Sequence, residues 1–342
     1  MPCLYLLSYV IPLSAFLGTK LGNIFSFSTL LLFVVIPQLE KFLNFGSIQL
    51  YKINNPSQKN RVWFTAILLA DVPLHVCLIL WGAWTWTQPL PALSKVGSLV
   101  SIGICSGVMG INIAHELIHR QSKILRSIGV LLLGFVSYSH WYLAHRLCHH
   151  VNVGTPNDSS TAVIKENVYN FAMRSILGSI LFVLNFEKKR LFSQKFSIVR
   201  NRLFLSFLLH SAIAFTLYYS IGPAACLFFI LQSFFAVFIL EATNYVQHYG
   251  LQRKQILNRF ENISNKHSWG SNHLLSSLLF FRLIDHAEHH RNSSLQYQVL
   301  RDNIESPRFP YCISTMVGMA MIPPLWFKVM NPRLRVLNGR AE

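Results

Sequence analysis

Six apolar stretches constrain this chain more than anything else in it: residues 4–18, 23–37, 62–84, 96–114, 203–221 and 223–243. A helix that crosses a bilayer needs about 20 mostly apolar residues. The first two stretches are short and joined only by residues 19–22, so they read as a tight hairpin whose ends borrow flanking residues. Charged residues make up only 13% of the chain and hydrophobic ones 52%, where a soluble domain is about 25% charged. The expectation is an all-α, polytopic integral membrane protein with six transmembrane helices and one integral domain over residues 1–342. No internal repeat or low-complexity linker divides it. The apolar start at Cys3 has no basic residues before it, which argues against a cleaved signal peptide. Six scattered cysteines form no CxxC pair, so neither a disulfide framework nor a cysteine zinc site is expected.

The net charge of +17 comes from 30 Lys and Arg against 13 Asp and Glu. Nucleic-acid binding is one reading of such an excess. Membrane topology explains it more simply. With the N-terminus inside, the outer loops hold only Lys20 and Lys95, and every other basic residue falls inside. That asymmetry is what the positive-inside rule describes. Both termini and the histidine-rich parts, 115–202 and 244–310, are then cytosolic. Two more apolar stretches do not count as spans. Residues 127–143 hold Ser137, Ser139 and His140, and residues 311–330 hold Pro323, Pro324 and Lys328. Both read as interfacial or re-entrant.

Histidine clusters then limit the chemistry. HELIH places His115 and His119 four apart, on one helix face. HRLCHH places His145 and His149 likewise, with His150 alongside, and HAEHH gives His286, His289 and His290. His248 lies just past the last span. Imidazole suits Fe, Zn, Cu and Ni. So many imidazoles at one membrane face exceed one ion's needs and suit two metal ions with open positions for dioxygen or water. HELIH also fits the zinc-protease pattern with Glu116 as general base. That reading leaves the other clusters unexplained. His273 is a candidate further ligand or partner of a ligand, His267 reads as a loop residue, and Asp71 and His75, a turn apart in the third span, face the protein interior, where they could line a substrate channel but read rather as a structural pair.

HELIHR, HRLCHHVNVGTPND, NYVQHYG, DHAEHHRNSSLQYQVLR and MIPPLWFKVMNPRL together resemble the membrane alkane 1-monooxygenase (alkane ω-hydroxylase) family. That family belongs to a wider group of integral-membrane di-iron enzymes that includes fatty acid desaturases. The resemblance covers most of the chain from about Ile36 to Arg335. It implies two non-haem Fe ions in a six-helix bundle, with dioxygen as co-substrate. The implied iron ligands are His115, His119, His145, His149, His150, His248, His286, His289 and His290. Glu116, Asp158, Glu241 and Asn244 match positions that would steady those ligands. Ala144, Cys148, Gln247, Ile284 and Asp285 depart from the family's usual residues, while every ligand position is kept.

The reaction implied is insertion of one oxygen atom into a terminal C–H of an alkane or alkyl chain that enters from the lipid. The membrane would be a bacterial inner membrane. A desaturase, or a fatty acid or aromatic-methyl hydroxylase, uses the same metal face and is the alternative. Less favoured are a metal-dependent but non-oxidative membrane enzyme and a degenerate, non-catalytic membrane protein. The chain has no four-cysteine iron site and no GxGxxG segment. A separate electron carrier, of rubredoxin or ferredoxin type, is therefore expected at the basic face.

Overall fold

The computed structural model describes residues 2–43, 58–195, 197–301, 305–337 and 339. Met1 and Glu342, and with them the expected side of both chain ends, lie outside the described residues. α1 (Val10–Leu21) turns back at Gly22, whose φ of +73° favours a residue without Cβ. α2 (Ser28–Leu43) follows, so the expected tight hairpin is present. Next come α3 (Gln58–Thr87) and α4 (Ala92–Cys105). A π-turn at Ser106–Gly110 joins α4 to α5 (Ile111–Ile118). This continuous helix is the most buried of the long ones.

Ser122 caps α6 (Lys123–Gly134), and α7 (Trp141–Ala144) follows a turn. Residues 127–143 are thus broken by a turn and form no single helix of spanning length. A second π-turn, His145–His149, leads into α8 (His150–Asn152). Asn167 caps α9 (Val168–Gln194) and Asn201 caps α10 (Arg202–Ser220), each side chain accepting the exposed N–H groups of the first turn. α11 (Pro223–His248) packs against α3, α4, α9 and α10. A small hairpin pairs β1 (Gln255–Ile256) with β2 (Arg259–Phe260). The rest comprises α12 (Leu274–Leu279), α13 (His286–Arg291), α14 (Ile313–Ala320) and α15 (Pro323–Leu337).

Among the described residues, seven helices are long and apolar enough to cross a membrane, one more than the sequence reading expects. The seventh is α9, and its contacts settle how it lies. α9 starts beside the end of α11, where Gly250 N–H donates to Ala162 O at 2.9 Å and Tyr245 Oη donates to Glu166 O at 2.7 Å. It ends beside the start of α10, where buried Glu187 accepts from Arg202 at 2.7 Å. α10 and α11 are antiparallel neighbours joined by Ile221 and Gly222, so the start of one and the end of the other share a face. Both ends of α9 therefore lie on the histidine face. Its side-chain pattern agrees. Tyr169, Met173, Leu177, Leu181 and Leu184 form an exposed apolar stripe, while Phe171, Ser175, Ser179, Val183 and Glu187 are buried on the other side. That is how a helix lying in the interface looks. Among the described residues, six other helices of spanning length and apolarity remain.

One expected pair does not form. Asp71 and His75 are both fully buried, yet neither hydrogen-bonds to the other or to any described residue. His75 turns instead onto the π-turn, where a Cβ on Gly110 would collide with its ring. His210 does have a structural partner, because Ser139 N–H donates to its Nε2 at 3.1 Å.

Candidate metal centre

Nine histidines from four separate segments meet at one end of the bundle, in two nests. His115, His119, His145, His150 and His289 form one, and His149, His248, His286 and His290 form the other. Within each nest every donor nitrogen lies within 4.8 Å of the others.

Backbone geometry decides which ring goes where. α5 is regular, so His115 and His119 share a face and a nest. The second box behaves differently. A regular helix would pair His145 with His149, as the sequence reading expects. The π-turn adds a residue per turn, so His145 meets His150 instead, with Nε2 atoms 2.9 Å apart. His149 is thereby released to the other nest. In α13, His286 and His290 share a nest at 3.0 Å, and His289 points to the first.

Ring orientation is fixed from behind. His149 Nδ1 lies 2.8 Å from Asp158 Oδ2. Asp158 also accepts from Ser160 N–H at 3.0 Å and from Thr161 Oγ1 at 2.7 Å. Burial alone would raise the Asp158 carboxyl. His149, Thr161 and Ser160 outweigh burial and hold it below the ordinary carboxylate range. His248 donates from Nδ1 to His267 O at 3.2 Å. In both rings this leaves Nε2 aimed into the nest, buried and without a partner among the described residues. His289 Nε2 is likewise buried and unpaired.

Such atoms are costly unless something binds them. Burial first, then the neighbouring imidazoles, push His145, His150, His286 and His290 well below the ordinary histidine range. Their lone pairs are thus free at neutral pH. A metal–imidazole bond of about 2.1 Å sets adjacent donors about 3 Å apart. The closest Nε2 pairs, His119–His145, His145–His150 and His286–His290, are separated by 3.1, 2.9 and 3.0 Å. The residues present fit a metal ion in each nest.

The other sequence candidates sit as follows. Glu116 pairs with Arg120 at 2.9 Å and accepts from Tyr297 N–H at 3.2 Å, so it fastens α5 to the chain after α13 and touches no nest nitrogen. Glu241 accepts from Tyr138 Oη at 3.1 Å and from Asn244 Nδ2 at 3.4 Å. His273 joins neither nest and bonds to Ser271. Two of the residues that depart from the family pattern have polar partners of their own. Gln247 Nε2 donates to Leu283 O at 3.0 Å, and Asp285 holds Arg282 at 2.6 Å. Sequence reasoning missed the Trp141 indole stacked 4.2 Å over His145, and the His267 carbonyl behind His248. Neither leaves a mark in residue spacing.

An apolar cavity runs from these rings into the bundle. His115 and His145 of one nest and His286 of the other stand at its inner end. Ile104, Val108 and Ile111 extend one wall down the α4–α5 helix. No lysine or arginine lines it.

A multi-pass helical membrane protein with two histidine nests at one end is the architecture of the membrane desaturase and hydroxylase class. The fatty acid desaturase family model matches residues 90–303, which contain all nine histidines. The nearer relatives are alkane monooxygenases. The chain is 34% identical to alkane 1-monooxygenase 2 of Alcanivorax borkumensis, over 95% of this chain and 87% of that protein. It is 34% identical to alkane 1-monooxygenase 1 of Pseudomonas aeruginosa, over 84% of this chain and 76% of that one. Alkane 1-monooxygenase 2 of the same organism is 32% identical over 84% and 78%. The chain belongs to the alkane 1-monooxygenase family.

Proposed function

We propose that this chain is a membrane monooxygenase that hydroxylates a terminal C–H of an alkane or alkyl chain, with two iron ions, one in each nest. The observation that carries this reading is the cavity: an apolar slot that ends on imidazoles of both nests. Its wall offers no cation for a carboxylate or phosphate head, which favours a neutral hydrocarbon over a charged acyl chain. The reaction balances as RH + O2 + 2 e⁻ + 2 H⁺ → ROH + H2O. Bound iron would supply the dioxygen chemistry. The protein's part is to hold the chain end-on, keep water out and fix the ligand rings. Ile104, Val108 and Ile111 orient the chain, Trp141 pins His145, and Asp158 and the His267 carbonyl set His149 and His248.

The electrons come from a separate carrier of rubredoxin or ferredoxin type at the histidine face, which we take as cytosolic in a bacterial inner membrane. Arg253 is not free to meet it. Its guanidinium donates to Glu261 O and Val151 O, fastening the β hairpin to α8. Exposed Lys188, Lys189 and Lys254 are better placed to steer an acidic carrier.

The test is a panel of alkanes, methyl-aromatics and fatty acyl substrates, assayed under air with iron-loaded protein and such a carrier. Terminal alcohol from the alkanes is expected. Alkene as the sole product would move the chain to the desaturase reading.

A further inference from the structure

Two glycines line the cavity, Gly107 and Gly318, and they are there for different reasons. At Gly107 a Cβ would come within 2.9 Å of Ala236 O and Ile239 Cβ, so close packing of the π-turn on α11 demands glycine. At Gly318 a Cβ would meet nothing within 4 Å. Nor is its φ in the left-handed region that favours glycine. Gly318 sits inside α14, where glycine costs up to about 1 kcal/mol relative to alanine. Packing and backbone geometry therefore leave this glycine unexplained, while its place in the cavity lining puts open space at the cavity's edge.

That space is at the mouth. Gly318 is exposed and lines the cavity at once. Leu30 of α2, which also lines it, is 42% exposed. Both stand among apolar neighbours on the flank of the bundle, since α14 packs between α2 and α11. The inner end lies at His115. From Ile104 to His115 the wall of the α4–α5 helix is about 16 Å long. Beyond that length an alkyl chain has to bend, stop or leave the protein.

We propose that Gly318 forms the lip of a lateral opening through which the far end of a long alkyl chain trails into the bilayer, so that tolerance for chain length is set at this residue. The proposal rests on the hydroxylase reading above for the identity of the substrate. A larger side chain at Gly318 points into open space, so it closes the opening without straining α14.

The experiment compares parent, Gly318→Ala and Gly318→Leu in nanodiscs, with kcat/KM measured over n-alkanes of rising length. Metal content is measured alongside and should match the parent, and melting temperatures should equal the parent's or exceed it, since both replacements favour helix more than glycine does. Gly318→Ala should shift the profile less than Gly318→Leu does. Gly318→Leu should lose roughly tenfold or more on the longest chains and little on chains short enough to be enclosed. An unchanged profile in Gly318→Leu, or an even loss across all lengths, overturns the proposal. Retention of tritiated alkanes by the purified proteins separates the two readings. A parent that retains alkanes without oxidising them sinks the hydroxylase reading, and the opening is then judged by whether retention in Gly318→Leu shows the same dependence on length.

Discussion

Alanine at position 289 should leave the protein folded, cut bound iron by about half and abolish turnover. His289 is buried, and its ring centroid lies 4.5 Å from that of His115, 4.7 Å from His119 and 4.9 Å from His150. Its Nε2 has no partner among the described residues, so removing the ring frees no protein group from a hydrogen bond at that atom. The loss falls on the five-histidine nest, while the four-histidine nest keeps all its donors. The matched control is His273→Ala. His273 bonds to Ser271 outside both nests and should keep parent iron and parent rate. His267 would be a poor control, because it bonds to Glu261 and Ser264 and carries the carbonyl that orients His248. Parent turnover in His289→Ala would remove this residue from the ligand set.

Asp158→Ala should weaken iron binding in the other nest by about 10–100-fold, the usual cost of losing the group that orients a ligating imidazole. The carboxylate holds His149 Nδ1 at 2.8 Å and in doing so turns Nε2 inward. Alanine also strands Thr161 Oγ1 and Ser160 N–H, which both donate to Asp158, so some stability will be lost as well. Asp158→Asn separates the two effects. It keeps the shape and an acceptor oxygen but lacks the charge. Its iron affinity, read by chelator competition, should fall between parent and alanine. Affinity in Asp158→Ala equal to the parent would make Asp158 a loop anchor only.

The membrane class and the histidine boxes were legible because both rest on local rules. An apolar run of sufficient length has few alternatives to a spanning helix. Residues four apart on a helix must share a face, which holds for His115 with His119 and for His286 with His290. The failures occur where distant contacts or small backbone adjustments decide. α9 is as long and nearly as apolar as a span, and only the contacts of Ala162 with Gly250, Glu166 with Tyr245 and Glu187 with Arg202 show that it returns to the face it left. The π-turn at His145–His149 moves His149 from one nest to the other, yet residue spacing gives no sign of it. Asp71 and His75 have the spacing of a pair, but the close approach of Gly110 gives His75 another neighbour. The cavity is assembled from α2, α4, α5, α11 and α14, and no single segment announces it. α14 comes from the stretch read as interfacial or re-entrant, and its place as a cavity wall appears only once it packs on α2 and α11.

In the function proposed here, iron held by the two nests of imidazoles would activate dioxygen against a hydrocarbon in the adjoining slot. The most direct test is isotopic. Iron-loaded protein is supplied with an electron carrier and an n-alkane under ¹⁸O2 in ordinary water, and the product is resolved by mass spectrometry. Terminal alcohol carrying one ¹⁸O atom per molecule is the result this account predicts, with no label when the ¹⁸O is placed in the water instead. Alcohol whose oxygen comes from water, or an alkene with no oxygen added, would contradict it.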